Sequence, residues 1–250
     1  NHVNVPENTI ASIKEAIKTK ADYVEIDLRT SKDGQMLLHH DGTVDRMTDG
    51  KGNIKDLTYA EIQKLKVSDK NKPSKKTYRI PLFTEVLQAC KNKIHIYLDF
   101  KDADVAETFK LIQAAGMEKQ VVVYVNSIPQ YKKWKAVAPQ MPLITSLIDG
   151  ITNKEQLSYF LSQAGIEVLD NVYDSSMIAT ANDNGVAVWM DVESNDETPD
   201  TWNAALSKGI QGIQTDHPDA LIKYLNEKGL RNGLGKDLTK ADPYAQYRNK

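Results

Sequence analysis

Two hydrophobic periods alternate along the chain. Runs of period two, or of unbroken aliphatic residues, lie at 22–29, 94–101, 120–125, 142–148, 166–171, 186–192 and 210–216. Side chains alternate faces along an extended chain, so these runs read as seven β-strands. Between them apolar residues recur at helical spacing: Ile10, Ile13, Ala16 and Ile17 follow Asn8 and Thr9, which supply an N-cap. Alternating strands and helices predict βα units and a parallel sheet. The fold class expected is α/β, a (β/α)8 TIM barrel. Seven runs need one more strand, and the expectation is that the first strand is truncated, lying upstream of Asn1.

Two stretches depart from this alternation. Residues 36–40 follow Ser31-Lys32-Asp33-Gly34, a strong turn signal, and predict a hairpin strand added after the second barrel strand. Residues 42–80 are rich in Gly, Asp, Lys and Thr, with one short helix over 58–66. They predict a small insertion at a βα loop, after which the barrel pattern resumes at Ile80-Pro81-Leu82. The expected organisation is one barrel domain over 1–231 that carries the insertion, followed by a polar C-terminal extension over 232–250.

Composition narrows the function classes. Hydrophobic residues make up 40% and charged residues 26% of 250, as in ordinary globular proteins, and a formal net charge of -2 gives no general attraction to nucleic acid. Lys132, Lys133 and Lys135 around Trp134 read as a solvated helix face. No apolar run approaches the roughly 20 residues of a membrane span, so no stable membrane insertion is expected. The single cysteine, Cys90, excludes an intrachain disulfide, and its spacing from Val86 and Leu87 makes it a small core residue. Gly-x-Ser-x-Gly, Walker, zinc-type Cys/His and dinucleotide glycine patterns are all absent.

The chemistry resides in carboxylates. In Tyr23–Leu28, Val24, Ile26 and Leu28 alternate with Tyr23, Glu25 and Asp27, so the aliphatic set can face the helices while Glu25 and Asp27 share the barrel interior. The next strand repeats the pattern: Ile94, Ile96, Leu98 and Phe100 form one face, and His95, Tyr97, Asp99 and Lys101 the other. Three carboxylates at the C-terminal end of a barrel, where barrel enzymes place their sites, are costly without a cation, and a divalent metal takes oxygen ligands. The competing reading is a buried ion-pair network around Asp99 and Lys101. His40 is either a surface histidine at a strand end or a proton-transfer group over the metal. Trp189 points inward either as an apolar wall for a small substrate or as core packing. His217 lines the mouth or not; His39 and His95 read as structural.

Together these motifs resemble the glycerophosphodiester phosphodiesterase family. Pro6-Glu7-Asn8-Thr9 looks like its Pro-Glu-Asn-Thr signature, and Glu25-Ile26-Asp27 with Lys32-Asp33-Gly34 looks like its Glu-x-Asp and Lys-Asp-Gly elements. His40-Asp41-Gly42-Thr43-Val44-Asp45-Arg46 resembles its His-Asp-x-Thr-x-Asp-Arg segment. Leu57-Thr58, Ile80-Pro81-Leu82, Trp189, Gly212-Ile213 and Thr215-Asp216-His217-Pro218 match later landmarks. Asp99-Phe100-Lys101 stands where the family has Glu-x-Lys, so the carboxylate is kept with one methylene less reach. The resemblance implies one divalent metal, Mg2+ or Ca2+, held by Glu25, Asp27 and Asp99, with Glu7 at its edge. It implies His40 as a catalytic histidine, Lys101 as a catalytic, phosphate-contacting group, and Arg46 and Trp189 beside the substrate. The implied reaction is hydrolysis of a small-molecule glycerophosphodiester to glycerol 3-phosphate and an alcohol.

The family's His-Arg-Gly, with a second catalytic histidine and a phosphate-binding arginine, is not in the sequence. It normally ends a few residues before Pro-Glu-Asn-Thr, so it is expected just before Asn1 with the missing strand. A trimmed start also leaves room for a signal peptide, and an exported or periplasmic location is expected over a cytoplasmic one. Two rivals share the barrel: a phospholipase C- or D-type enzyme acting on intact lipid, and a non-catalytic ligand-binding barrel. Head group, native metal and oligomeric state are not written in the sequence.

Overall fold

A computed structural model of the chain describes residues 5–68, 76–194 and 196–231. The extension expected over 232–250 lies outside the described residues. Seven strands run parallel: β1 (Tyr23–Thr30), β3 (His95–Phe100), β4 (Val121–Val125), β5 (Leu143–Ser146), β6 (Val168–Asp170), β7 (Ala187–Asp191) and β8 (Gly212–Gln214). Six fall inside their periodic runs, and β1 extends one residue beyond the run at 22–29. A short strand β2 (Met36–Leu38) turns back and pairs antiparallel with the end of β1, Leu28 opposite Leu38. The sheet order is β2-β1-β3-β4-β5-β6-β7-β8. The curled, mostly parallel sheet and its helices form an α/β barrel architecture.

The helices are α1 (Ile10–Thr19), α2 (Tyr59–Ile62), α3 (Phe83–Cys90), α4 (Val105–Ala115), α5 (Ile128–Val137), α6 (Lys154–Ala164), α7 (Ser175–Asp183), α8 (Pro199–Leu206) and α9 (Pro218–Glu227). Their starts follow local chemistry. Thr9, Asp104, Ser127, Asn153, Asp174 and Thr198 each accept a backbone N–H of the first turn with the side chain. α1 starts with a reciprocal box in which Ser12 Oγ answers the N–H of Thr9. α4 and α6 end on Gly116 and Gly165 in the left-handed conformation, which glycine adopts without steric cost.

The period-two pattern separates two cores. Val24, Ile26, Leu28, Ile96, Leu98 and Phe100 point outward into the layer between sheet and helices, where Phe100 meets Trp134 edge-on at 5.3 Å. Tyr97, Val122, Ile144, Val168 and Ala187 point inward and plug the barrel, with Tyr23, Tyr124 and Trp189 against them. A third cluster, of Leu37, Val44, Ile54, Ile62, Val67 and Ile80, packs β2 against residues that follow it. The inner plug is what lifts the polar ends of the strands into an open mouth.

Leu98 sits at the centre of β3 with no exposed surface. Leu98→Ala is expected to lower the unfolding free energy by about 2–5 kcal/mol, read from urea denaturation followed by circular dichroism.

Candidate active site

Register sets the mouth. Glu25 on β1 stands opposite Tyr97 on β3, and Asp27 opposite Asp99, so all three carboxylates emerge on the same side at neighbouring heights. One oxygen from each of Glu25, Asp27 and Asp99 lies within 4.8 Å of the others. Lys101 follows the end of β3, and its Nζ is 2.5 Å from Asp99 Oδ2 and 3.0 Å from Asp27 Oδ1. An inward carboxylate trio and an ion-pair network with Lys101 therefore occupy one place.

The trio is held by two asparagines that sequence reasoning did not single out. Asn8 sits at a φ of 51°, and its side chain grips Asp27 from two sides: Nδ2 donates to Asp27 Oδ2 at 2.8 Å, and Oδ1 accepts the Asp27 N–H at 3.0 Å. Thr9, not Asn8, caps α1. Asn126, just past β4, donates to Asp99 Oδ1 at 2.8 Å and to the Phe100 carbonyl at 3.0 Å. Neither clamp is visible in the sequence, because each joins residues far apart in the chain.

The electrostatics call for a cation. Burial pushes the Glu25 carboxyl well above its ordinary range, and the charges of Asp27, Asp99 and Glu193 push it further, with Lys101 opposing. Burial disfavours the Lys101 charge, but Asp27 and Asp99 outweigh it and raise the ammonium's pKa. Asp27 is 2% exposed, and its buried Oδ1 is met by the Lys101 ammonium at 3.0 Å. Three carboxylates gathered around a single ammonium fit a divalent cation with oxygen ligands.

A second acidic group lies across the mouth. Asp170 at the end of β6 is 6% exposed; it accepts a hydrogen bond from the Tyr97 hydroxyl at 3.2 Å, and burial raises its pKa to about 6. Asp191 at the end of β7 is half-buried and also raised by burial. The same alternation that revealed Asp99 marks both, since Val168 and Asp170, and Trp189 and Asp191, share faces.

Other expected site residues fall in two places. His40 follows β2, anchored by the His39 N–H to the Asp27 carbonyl at 3.1 Å, and stands exposed with Nδ1 2.8 Å from Asp41 Oδ1. Arg46 is bound to Asp41 and to Glu7, so the Glu7 carboxylate lies on Arg46 and not among the trio's oxygens. Trp189 points into the barrel, its ring 4.8 Å from that of Tyr23 and 6.1 Å from that of Tyr97. Gly212 makes this possible: a Cβ there would lie 2.7 Å from the Trp189 ring. His39 is buried with Nε2 on the Thr43 carbonyl, His95 is buried at the barrel base, and His217 begins α9. No helix among the described residues is long and apolar enough to cross a membrane.

The model of the glycerophosphoryl diester phosphodiesterase family matches residues 2–220. The chain is 32% identical over 229 residues to the protein YhdW of Bacillus subtilis (strain 168), covering 87% of this chain and 92% of that one. It is 27% identical over 233 residues to a glycerophosphodiester phosphodiesterase of Caldanaerobacter subterraneus subsp. tengcongensis, covering 90% and 95%. Among solved structures it is similar to an Oleispira antarctica phosphodiesterase in complex with the product sn-glycerol-3-phosphate, with a TM-score of 0.77, 18% identity and coverage of 90% and 93%. That last likeness shows the fold.

Glu25 retains its proton to higher pH when folded than when unfolded. The metal-free protein is therefore expected to lose stability as pH rises above the ordinary glutamate range of about 4.5. A metal must displace that proton, so the melting temperature gained with Mg2+ or Ca2+ should grow over the same rise, reaching about 2.7 kcal/mol of stabilisation at a hundredfold excess over Kd. Scanning calorimetry at stepped pH checks both signs.

Proposed function

Since the chain belongs to the glycerophosphoryl diester phosphodiesterase family and is a hydrolase, we propose that it hydrolyses glycerophosphodiesters to glycerol 3-phosphate and an alcohol, using one divalent metal, Mg2+ or Ca2+. The observation that carries this reading is the trio of Glu25, Asp27 and Asp99, whose oxygens converge within 4.8 Å of one another. The product bound in the Oleispira antarctica phosphodiesterase supports the same chemistry.

Glu25, Asp27 and Asp99 would hold the metal, which when bound supplies positive charge to neutralise a phosphodiester's oxygens and orient it. Asn8 and Asn126 keep two of the three carboxylates aimed at one point. Lys101 neutralises part of the trio's charge. Turned toward a bound phosphate, its ammonium opposes the charge that builds on the phosphoryl oxygens. His40 moves a proton at its ring nitrogen, because an alkoxide leaves poorly unless it is protonated. Trp189 and Tyr97 give the mouth an apolar floor against which the organic part of a small substrate rests.

With Mg2+ or Ca2+ the protein is expected to release glycerol 3-phosphate from glycerophosphocholine in a coupled enzymatic assay. Glu25→Ala or His40→Ala should lower the rate at least about 100-fold. Full turnover in either variant, or none in the full-length protein with any divalent metal, contradicts the reading.

A further inference from the structure

Arg46 has both bidentate edges of its guanidinium occupied. Nε and Nη2 donate to Asp41 Oδ2 and Oδ1 at 2.8 and 3.0 Å, while Nη1 and Nη2 donate to Glu7 Oε2 and Oε1 at 3.1 and 2.6 Å. A phosphate seeking a fork-shaped donor there would have to evict a carboxylate. The same Asp41 carboxylate reaches His40 Nδ1 at 2.8 Å. Thus Glu7 before α1, Arg46, Asp41 and His40 form one unbroken chain of contacts.

The chain of contacts has a direction. An ionised carboxylate only accepts hydrogen bonds, so the ring nitrogen facing it must carry the proton. Arg46, then His40, holds the Asp41 carboxyl well below the usual carboxylate range, which keeps it an acceptor throughout the working pH range. The backbone of His40 is fixed separately, by Arg29 donating twice to its carbonyl at 2.9 and 2.7 Å and pairing with Asp102. The imidazole itself is exposed, and its contact with Asp41 restrains its rotation.

We infer that Arg46 is a clamp: anchored by Glu7, it fixes Asp41, and Asp41 fixes the Nδ1–H tautomer of His40 so that a bare Nε2 is presented for proton transfer. Asp41 and Arg46 are positioning residues in this scheme. The inference rests on the proton-transfer role given to His40, but the tautomer is a property of the ring and can be read without turnover. The charged groups around the ring are Asp41, Arg46, Glu7, Arg29 and Asp102, with His39 beside it in the chain. A restrained tautomer matters because the other form would offer Nε2 as a donor and leave no base there.

Long-range 1H–15N correlation spectra of protein with labelled histidine rings test this on the full chain. In the native protein, with the ring neutral, Nδ1 should resonate as the protonated nitrogen and Nε2 as the bare one. Asp41→Asn offers an amide donor and should shift His40 toward the Nε2–H form. Arg46→Gln should do so partly, and Arg46→Lys should fail to restore the native state because a point charge cannot span both carboxylates. His39, bonded to Thr43, reports that the fold is intact by staying unchanged. In the assay, Asp41→Asn should lower kcat about 10- to 100-fold with KM little changed. A native Nε2–H ring, or the same tautomer in native and Asp41→Asn proteins, overturns the inference. So does an Arg46→Gln variant that raises KM and leaves the tautomer alone, the mark of a direct phosphate ligand. Loss of the phosphodiesterase reading would appear separately, as a native tautomer in a protein without turnover.

Discussion

Three like charges at one end of a barrel govern much of what surrounds them. Glu25, Asp27 and Asp99 approach within 4.8 Å because the parallel register of β1 and β3 leaves them no other side of the sheet. Isolated, such a group is costly in a partly dry mouth. Lys101 relieves part of that cost from one side, and Asn8 and Asn126 donate to carboxylate oxygens from the others. The plug of Tyr97, Val122, Ile144, Val168 and Ala187 beneath closes the barrel interior. A cation bound within the trio would meet an oxygen of each carboxylate and take over part of the neutralisation that Lys101 now gives Asp27 and Asp99.

Around this centre the strands distribute their ends by the same rule. Asp170 and Asp191 emerge opposite the trio, and Tyr97 spans the interior to hold Asp170. The mouth therefore carries far more negative than positive charge among its lining groups, with Lys101 as its inner cation. An anionic substrate entering such a place needs a metal to reverse the local field. The outer edge is organised differently, by directional hydrogen bonds between exposed ion pairs at His40, Asp41, Arg46 and Glu7, which individually contribute little stability but fix orientation.

Much of this was legible in the sequence. Period-two alternation located the seven parallel strands and separated outward Val24, Ile26 and Leu28 from inward Glu25 and Asp27, since a strand cannot change the parity of its side chains. It also placed Asp99 beside Glu25 and Asp27 before any register was known. What escaped was the clamping of Asp27 by Asn8, of Asp99 by Asn126 and of Arg46 by Glu7, because such contacts depend on where loops end and leave no periodic trace. Asp170 and Asp191 were within reach, marked by the same parity, but nothing adjacent to them drew notice. The helix cap expected at Asn8 and Thr9 is supplied by Thr9, while Asn8, with a left-handed backbone, gives its amide to Asp27.

The central claim is that the trio is one metal site. Crystals grown metal-free and then soaked in Mn2+, a spectroscopic stand-in for Mg2+ or Ca2+, can be measured at the manganese absorption edge. The account predicts one strong anomalous peak bonded, at about 2.0–2.6 Å, to oxygens of Glu25, Asp27 and Asp99. No peak there at saturating Mn2+, with Lys101 still bridging Asp27 and Asp99, would contradict it.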